Sequence, residues 1–283
     1  MTYLKKFELL DDFQEHISYD ERRIHNNSYP LHIFPDKNLK TLTFSNITII
    51  YGGNGSGKST LLNIISSKLE AARKNPFEKG AYFDNYVKMC SYEMDNTPIE
   101  IKSITSDDVF DYLLDVRSIN TGVHRRKEDL SQEYLNLKYH DCDASIFEYE
   151  TVKAQYEAKH KTMSKFVRNR LVNNTIVEQS NGESALLFWE KEIDENGLYI
   201  LDEPENSLSA ENQLKLKTFI EDSVRFYNCQ FIISTHSPFL LALYEATVYD
   251  LDSEDAETPK KWTTLKNVKT YFDFFMERKD EFE

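Results

Sequence analysis

The sequence predicts an α/β protein with a mostly parallel sheet flanked by helices. Strand-like runs of β-branched and aromatic residues end abruptly at glycine, acidic or polar clusters near residues 42–51, 198–201 and 230–234. Between them, apolar residues recur three and four apart, as on helices. A glycine loop joins the first run to the first of these helices, and strands alternating with helices imply a sheet covered on both faces.

At 283 residues, 40% hydrophobic and 29% charged, with 8 Gly and 7 Pro, the composition excludes collagen-like, low-complexity and disordered classes. The length allows one large domain or two small ones. Short strands are expected near residues 3–9 and 31–34. Residues 42–51 read as one strand, and residues 59–69 as a helix through Leu61, Leu62, Ile64, Ile65 and Leu69. From residue 104 to 175 strand signals fade, giving a mainly helical insert with Ser106 as its N-cap and Asp107 and Asp108 in the first turn. Residues 1–103 and 176–283 form the expected α/β core around that insert. Strands return at 198–201, 230–234 and 247–251, and residues 262–275 close the chain with an amphipathic helix through Leu265, Val268, Phe272 and Phe275. No internal repeat is found.

The net charge of −14 argues against coating duplex DNA or an anionic membrane through a global positive field. No stretch approaches the roughly 18 apolar residues of a membrane helix; the richest, over 231–243, is broken by Ser234, Thr235, His236, Ser237 and Pro238. The first residues lack an apolar signal core, so a cytoplasmic location without membrane insertion is expected. Cys90, Cys142 and Cys229 lie far apart with no metal-type spacing and read as packing residues.

Gly52-Gly53-Asn54-Gly55-Ser56-Gly57-Lys58-Ser59 fits the P-loop pattern between a strand and a helix. Its glycines let backbone amides approach phosphate oxygens, and the helix starting near Lys58 adds its unpaired amides and dipole. Lys58 supplies positive charge to the β and γ phosphates of ATP, Ser59 a hydroxyl to Mg²⁺, and Thr60 a contact to the α phosphate. The alternative is a chance glycine turn, which the flanking strand and helix argue against.

Residues 198–201 form an apolar run that delivers Asp202 and Glu203 to the carboxyl end of a strand, where ligands of open α/β sheets bind. Asp202 suits a Mg²⁺ water. Glu203, expected to point the other way along the pleat, suits orienting and deprotonating an attacking water. The run 231–233 ends similarly, with His236 placed for a γ-phosphate contact or, more plainly, as a structural hydrogen-bonding residue. Ser180, Asn181, Gly182 and Glu183 precede a helix expected at 184–193, and Ser180 and Glu183 also have the spacing of a capping box.

The ordered set of P-loop, Ser180–Glu183 segment, Asp202-Glu203 and His236 resembles the ATP-binding-cassette (ABC) ATPases over most of residues 40–251. The resemblance implies a P-loop NTPase fold of ABC-ATPase type. The wording Asp202-Glu203-Pro204-Glu205-Asn206-Ser207-Leu208 and Ser234-Thr235-His236-Ser237-Pro238 is similar to a stand-alone branch, the AAA-family ATPases of cassette type related to the double-strand-break-repair, RecF and OLD-like ATPases. It implies two chains packed head to tail, with Ser180 and the Gly182 amide meeting the γ phosphate of the other chain and residues 205–208 crossing the interface. One departure is the family's glutamine loop: no Gln occurs between Lys58 and Gln132, and Thr105, Ser106 and Asp107 are the stand-ins. Tyr29 and Phe34 are the candidates for stacking on adenine.

Residues 153–170 carry Lys153, Lys159, Lys161, Lys165, Arg168 and Arg170 against Glu157 alone, and 124–127 add a smaller basic cluster. This is either a solvated helix face or a contact surface for nucleic acid or an acidic partner. The resulting expectation is an ATPase that dimerises on ATP and drives an effector through the insert. Its rivals are a transporter's ATP subunit, a component of DNA maintenance or phage defence, and a nucleotide sensor with negligible turnover. The insert is short for a repair ATPase's coiled-coil arm, and the residues after His236 are few for an attached nuclease domain.

Overall fold

The computed structural model describes residues 2–18, 28–139, 149–170 and 181–282. The chain divides into two compact units, one of residues 1–110 with 181–283 and one of residues 111–180.

The first unit contains two sheets. Strands β1 (Leu4–Glu8), β2 (Thr41–Thr43) and β5 (Ser91–Met94) form an antiparallel sheet in the order β2-β1-β5. The other is six-stranded, in the order β4-β6-β7-β8-β3-β9, and every pair in it is parallel. Its strands are β3 (Ile47–Tyr51), β4 (Ala72–Arg73), β6 (Glu100–Thr105), β7 (Gly197–Asp202), β8 (Gln230–Ser234) and β9 (Thr247–Asp250). All five residues of β3 and of β8 are buried. Successive strand residues face opposite sides, so both faces of the sheet are covered. Helix α2 (Lys58–Lys68) packs on β7 and β8, while α8 (Ala210–Tyr227) packs on β8 and on α7 (Asn181–Glu192). Shorter helices are α1 (Asp12–Ser18), α3 (Phe83–Met89) and α9 (Pro238–Leu241), and α10 (Lys266–Glu277) lies near the end.

Buried polar side chains tie the small sheet to the large one, Tyr249 of β9 bonding Thr43 of β2 and Gln230 of β8 bonding β1. The Gln230 carboxamide, fully buried at the start of β8, accepts from the Tyr3 and Leu4 amides at 2.8 Å each. It donates to the Leu4 and Ser45 carbonyls at 2.8 and 2.9 Å. Its hydrogen-bonding capacity is thereby used in full.

Several elements depart from the sequence expectation. Residues 42–51 split into β2 and β3, because Ser45 accepts no ladder: its hydroxyl donates to the Ile47 carbonyl at 2.6 Å and its amide to the Thr48 hydroxyl at 3.1 Å, turning the chain between sheets. Residues 31–34 are not a strand. Proline stands at 30 and 35, and His32 has φ +64°, so Leu31 and Phe34 enter the core from a loop instead. Helix α7 already includes Asn181, ahead of the expected 184, and α10 begins at Lys266 rather than 262.

The second unit is helical. It holds most of α4 (Ser106–Tyr139), with α5 (Tyr149–His160) and α6 (Met163–Arg170). The N-cap of α4 is Thr105, not Ser106: the Asp108 carboxylate accepts from the Thr105 amide at 2.7 Å and from its hydroxyl at 2.9 Å. Within the unit Tyr134, Leu137, Ala154, Ala158 and Phe166 form a small core, with Tyr134 and Phe166 edge to face at 5.4 Å. Among the described residues no helix is long and apolar enough to cross a membrane.

Candidate functional site

The P-loop leaves the carboxyl end of β3 and enters α2 at Lys58. Gly57 caps the helix with φ +97°, and a Cβ there would stand 2.8 Å from Ile33 Cγ2, so the position excludes a side chain both by conformation and by space. A Cβ on Gly52 would meet Ser56 Oγ at 2.5 Å. With the loop this tight, Asn54, Gly55, Ser56, Gly57, Lys58, Ser59 and Thr60 line a cavity of about 330 Å³ together with Tyr29, Ile33 and Glu203. Tyr29 thus reaches the cavity, stacked on Phe83 at 5.9 Å. Phe34 does not line it; its ring is fully buried in the core behind Gly57 and has no face to offer a base. The Gly53 amide donates to Asp252 Oδ2 at 2.6 Å, a restraint from beyond β9 that the sequence did not signal.

Three of the expected site residues, from three separate segments, meet at the carboxyl end of the sheet. The Lys58 ammonium, 5% exposed, donates to the Gly52 and Gly53 carbonyls at 2.9 and 3.2 Å. It lies 3.1 Å from His236 Nε2 and 3.7 Å from Glu203 Oε1. His236 Nε2 stands 3.0 Å from the same Glu203 oxygen. One ring nitrogen serves one partner at a time: protonated it donates to Glu203, and with its lone pair it accepts from Lys58.

Asp202 ends β7, and its Oδ1 accepts from the hydroxyl of Ser234, its register neighbour on β8. Glu203 does not continue the pleat as expected. Its backbone turns left-handed at φ +49°, held by its amide donating to both the carbonyl and the hydroxyl of Ser234 at 3.1 Å. A left-handed β-to-turn step at a residue with a side chain costs roughly 1–2 kcal/mol, and it aims the carboxylate at Lys58 and His236. His236 is brought to the tip by Ser237 and Pro238, the N-cap and first residue of α9, which turn the chain just past it.

Glu205, expected in an interface-crossing loop, turns inward and is buried, its Oε1 accepting from Thr235, His236 and Ser237. Burial pushes its carboxyl above the ordinary range, opposed by those donors. Ser180 lies outside the described residues; Asn181, Gly182 and Glu183 lie on α7. Cys142 also lies outside them, while Cys90 and Cys229 are buried, and burial pushes the Cys90 thiol up to about 12.

The donor set suits Mg²⁺. Ser59 lines the cavity with one hydroxyl and Asp202 ends β7 with one carboxylate, and among the described residues no group of three or more His, Cys, Asp or Glu is placed to hold a metal ion by itself. Mg²⁺ is held by one or two protein oxygens with phosphate oxygens and waters, unlike Zn²⁺ or Ca²⁺ in their protein cages.

Residues 39–206 match the family described as ABC transporter, and this span includes the P-loop and the Asp202-Glu203 pair. The chain belongs to the ABC transporter family. It carries that family's ATP-binding, ATP-hydrolysing domain on the family's P-loop α/β fold. A curated relative, the cytochrome c biogenesis ATP-binding export protein CcmA of Reclinomonas americana, is 31% identical over 173 residues, 61% of this chain. The match spans 64% of that relative's length. Among solved structures, a nucleotide-free ATP-binding cassette from an ABC transporter aligns over 96% of both chains at 14% identity and TM-score 0.41. The SMC head domain from Thermotoga maritima aligns over 88% of this chain and 94% of its own at 15% identity and TM-score 0.40.

In this ABC-family chain the basic stretch of the helical unit is partly spent internally. Lys161 pairs with Glu157 at 2.9 Å. Arg170 pairs with Glu133 at 2.9 Å while its guanidinium lies 4.0 Å over the Phe166 ring.

Proposed function

We propose that this chain binds Mg·ATP at the P-loop, pairs head to tail with a second copy around the nucleotide, hydrolyses it, and passes the cycle to a protein effector through the helical unit expected over residues 104–175. The observation that carries the reading is the convergence of Lys58, Glu203 and His236 within 3.7 Å at the mouth of the P-loop cavity.

Phosphoryl transfer asks the protein for position and charge more than for covalent chemistry. The amides over 55–60 and the Lys58 ammonium stabilise charge gathering on the β and γ oxygens. Ser59 and Asp202 would hold Mg²⁺, which would supply positive charge to the phosphates. Glu203 accepts the proton of the attacking water, and His236 Nε2, within reach of the Glu203 carboxylate, orients the group that carries it. Ser180 and Gly182 of the second copy complete the site at the γ phosphate, with Asn181 and Glu183 beside them. The test is Glu203→Gln with saturating Mg·ATP: retained ATP and an accumulated dimer support the reading, and normal hydrolysis or a monomer rejects it.

The wording of residues 202–208 and 234–238 supports the stand-alone branch related to repair, RecF and OLD-like ATPases, with a role in DNA maintenance or phage defence. The internal pairing of Lys161 and Arg170 favours a plain solvated face over a nucleic-acid surface at 153–170. A second reading, the ATP-binding subunit of a membrane transporter, is favoured by the 31% identity to an export protein. Co-purification with a membrane-embedded partner would select it.

A further inference from the structure

Glu205 is a costly residue to bury. It is 8% exposed, and a carboxylate removed from water loses several kcal/mol unless donors replace the solvent. Its Oε1 collects three such donors from consecutive residues: the Thr235 hydroxyl at 2.6 Å, the His236 amide at 2.7 Å and the Ser237 amide at 3.1 Å. Among the described residues its Oε2 is buried without a hydrogen-bond partner. If packing alone were served, an apolar side chain would fill this space at lower cost.

The donors all belong to the loop that carries His236. Glu203 and Glu205 sit on one turn, closed by the Asn206 amide donating to the Glu203 carbonyl at 3.1 Å and the Asn206 carboxamide to Glu203 Oε2 at 3.1 Å. From that turn Glu203 meets the His236 ring while Glu205 grips its backbone amide. On the other side the His236 carbonyl accepts from Asn267 at 3.1 Å. Both peptide groups of His236 are therefore pinned.

We propose that Glu205 is a positioning residue for ATP hydrolysis: its Oε1 fixes the 235–237 loop so that His236 Nε2 stays between Lys58 and Glu203. The proposal rests on the reading above, in which His236 and Glu203 act at the terminal phosphate. Glu205 is not among the residues lining the P-loop cavity; it acts through His236.

The experiment measures steady-state ATPase activity and ATP affinity of the full chain with Mg²⁺ for wild type, Glu205→Ala, Glu205→Gln, His236→Ala and the Glu205→Ala/His236→Ala double variant. Displacing a positioned group by about 1 Å costs about 100-fold in rate. Glu205→Ala is therefore expected to lose about that factor in kcat while ATP affinity stays within about threefold. Glu205→Gln keeps an oxygen for the three donors and should recover at least about tenfold of the loss. In the His236→Ala background, Glu205→Ala should cost nothing further, because its only route is already cut. The proposal is overturned if Glu205→Ala turns over like wild type, if Gln recovers nothing, or if the two losses multiply. Should Glu205→Ala fail to fold, Thr235→Val removes one of the donors and is expected to lower kcat by about threefold to tenfold; an unchanged kcat sinks the idea. A wild-type protein that binds no ATP, or a His236→Ala variant at wild-type rate, would instead bring down the underlying site assignment.

Discussion

His236 Nε2 and Glu203 Oε1 stand 3.0 Å apart across 33 residues of sequence. Their meeting follows from sheet register. Parallel pairing sets Asp202 beside Ser234, and the residues just beyond each strand end leave on the same side, one by a left-handed turn and the other toward a proline-started helix. Two apolar strands thus act as rails that deliver an acid and an imidazole to one point in front of Lys58.

Replacing Glu203 by Gln should remove the proton acceptor and leave the shape. Loss of a general base costs about 10²–10⁴-fold in rate, so kcat should fall into that range while ATP affinity is kept. A steady-state assay paired with nucleotide-binding titration checks this.

Gly57→Ala should damage both binding and stability. The new methyl would press on Ile33 Cγ2 at 2.8 Å, at a φ of +97° that costs a side chain roughly 1–2 kcal/mol. ATP affinity is expected to drop at least about tenfold, with a lower Tm; a variant matching wild type in calorimetry contradicts the tight-loop account.

Gln230→Leu should be among the most destabilising single changes in the chain. It strands the Tyr3 and Leu4 amides and the Leu4 and Ser45 carbonyls in the interior. At about 1–3 kcal/mol for each unpaired buried group, a loss of at least about 4 kcal/mol is expected in denaturant unfolding. A loss under about 1 kcal/mol would mean that the small sheet does not depend on this carboxamide.

Glu15 makes stability depend on pH. Its side chain is fully buried on α1, and burial raises its carboxyl above the ordinary value, opposed by the His32 amide that donates to it at 2.5 Å. A raised acid favours the folded state when protonated, so its contribution is present below the unfolded value of 4.5 and is lost as pH rises through the folded one. Glu15→Gln keeps an acceptor for His32 and should melt higher than wild type at pH 7.5. That advantage should shrink as pH approaches about 4.5; equal offsets at every pH would refute the assignment.

The convergence of the candidate site was legible because its pieces are sequential: the P-loop, the Asp202-Glu203 pair and His236 each follow an apolar strand. What escaped is where the physics is local or polar. Strand β6 carries Lys102 and Ser103 in its middle, which hides it from an apolar pattern, yet Lys102 satisfies its charge on Glu100 at 3.0 Å and the Glu192 carbonyl at 2.9 Å. The break at Ser45 depends on two hydrogen bonds of its own that composition does not show. The family resemblance places Glu205 in a loop crossing the interface; its inward turn depends on three donors from another segment, which its own neighbours in sequence do not announce.

The left-handed backbone at Glu203 sets two selective demands against each other. Glycine would occupy that turn without conformational penalty and would make a sturdier protein, but one lacking the carboxylate that faces Lys58. Screening variants of this position for thermal endurance alone should therefore enrich inert chains, and the native glutamate marks a place where durability is traded for work.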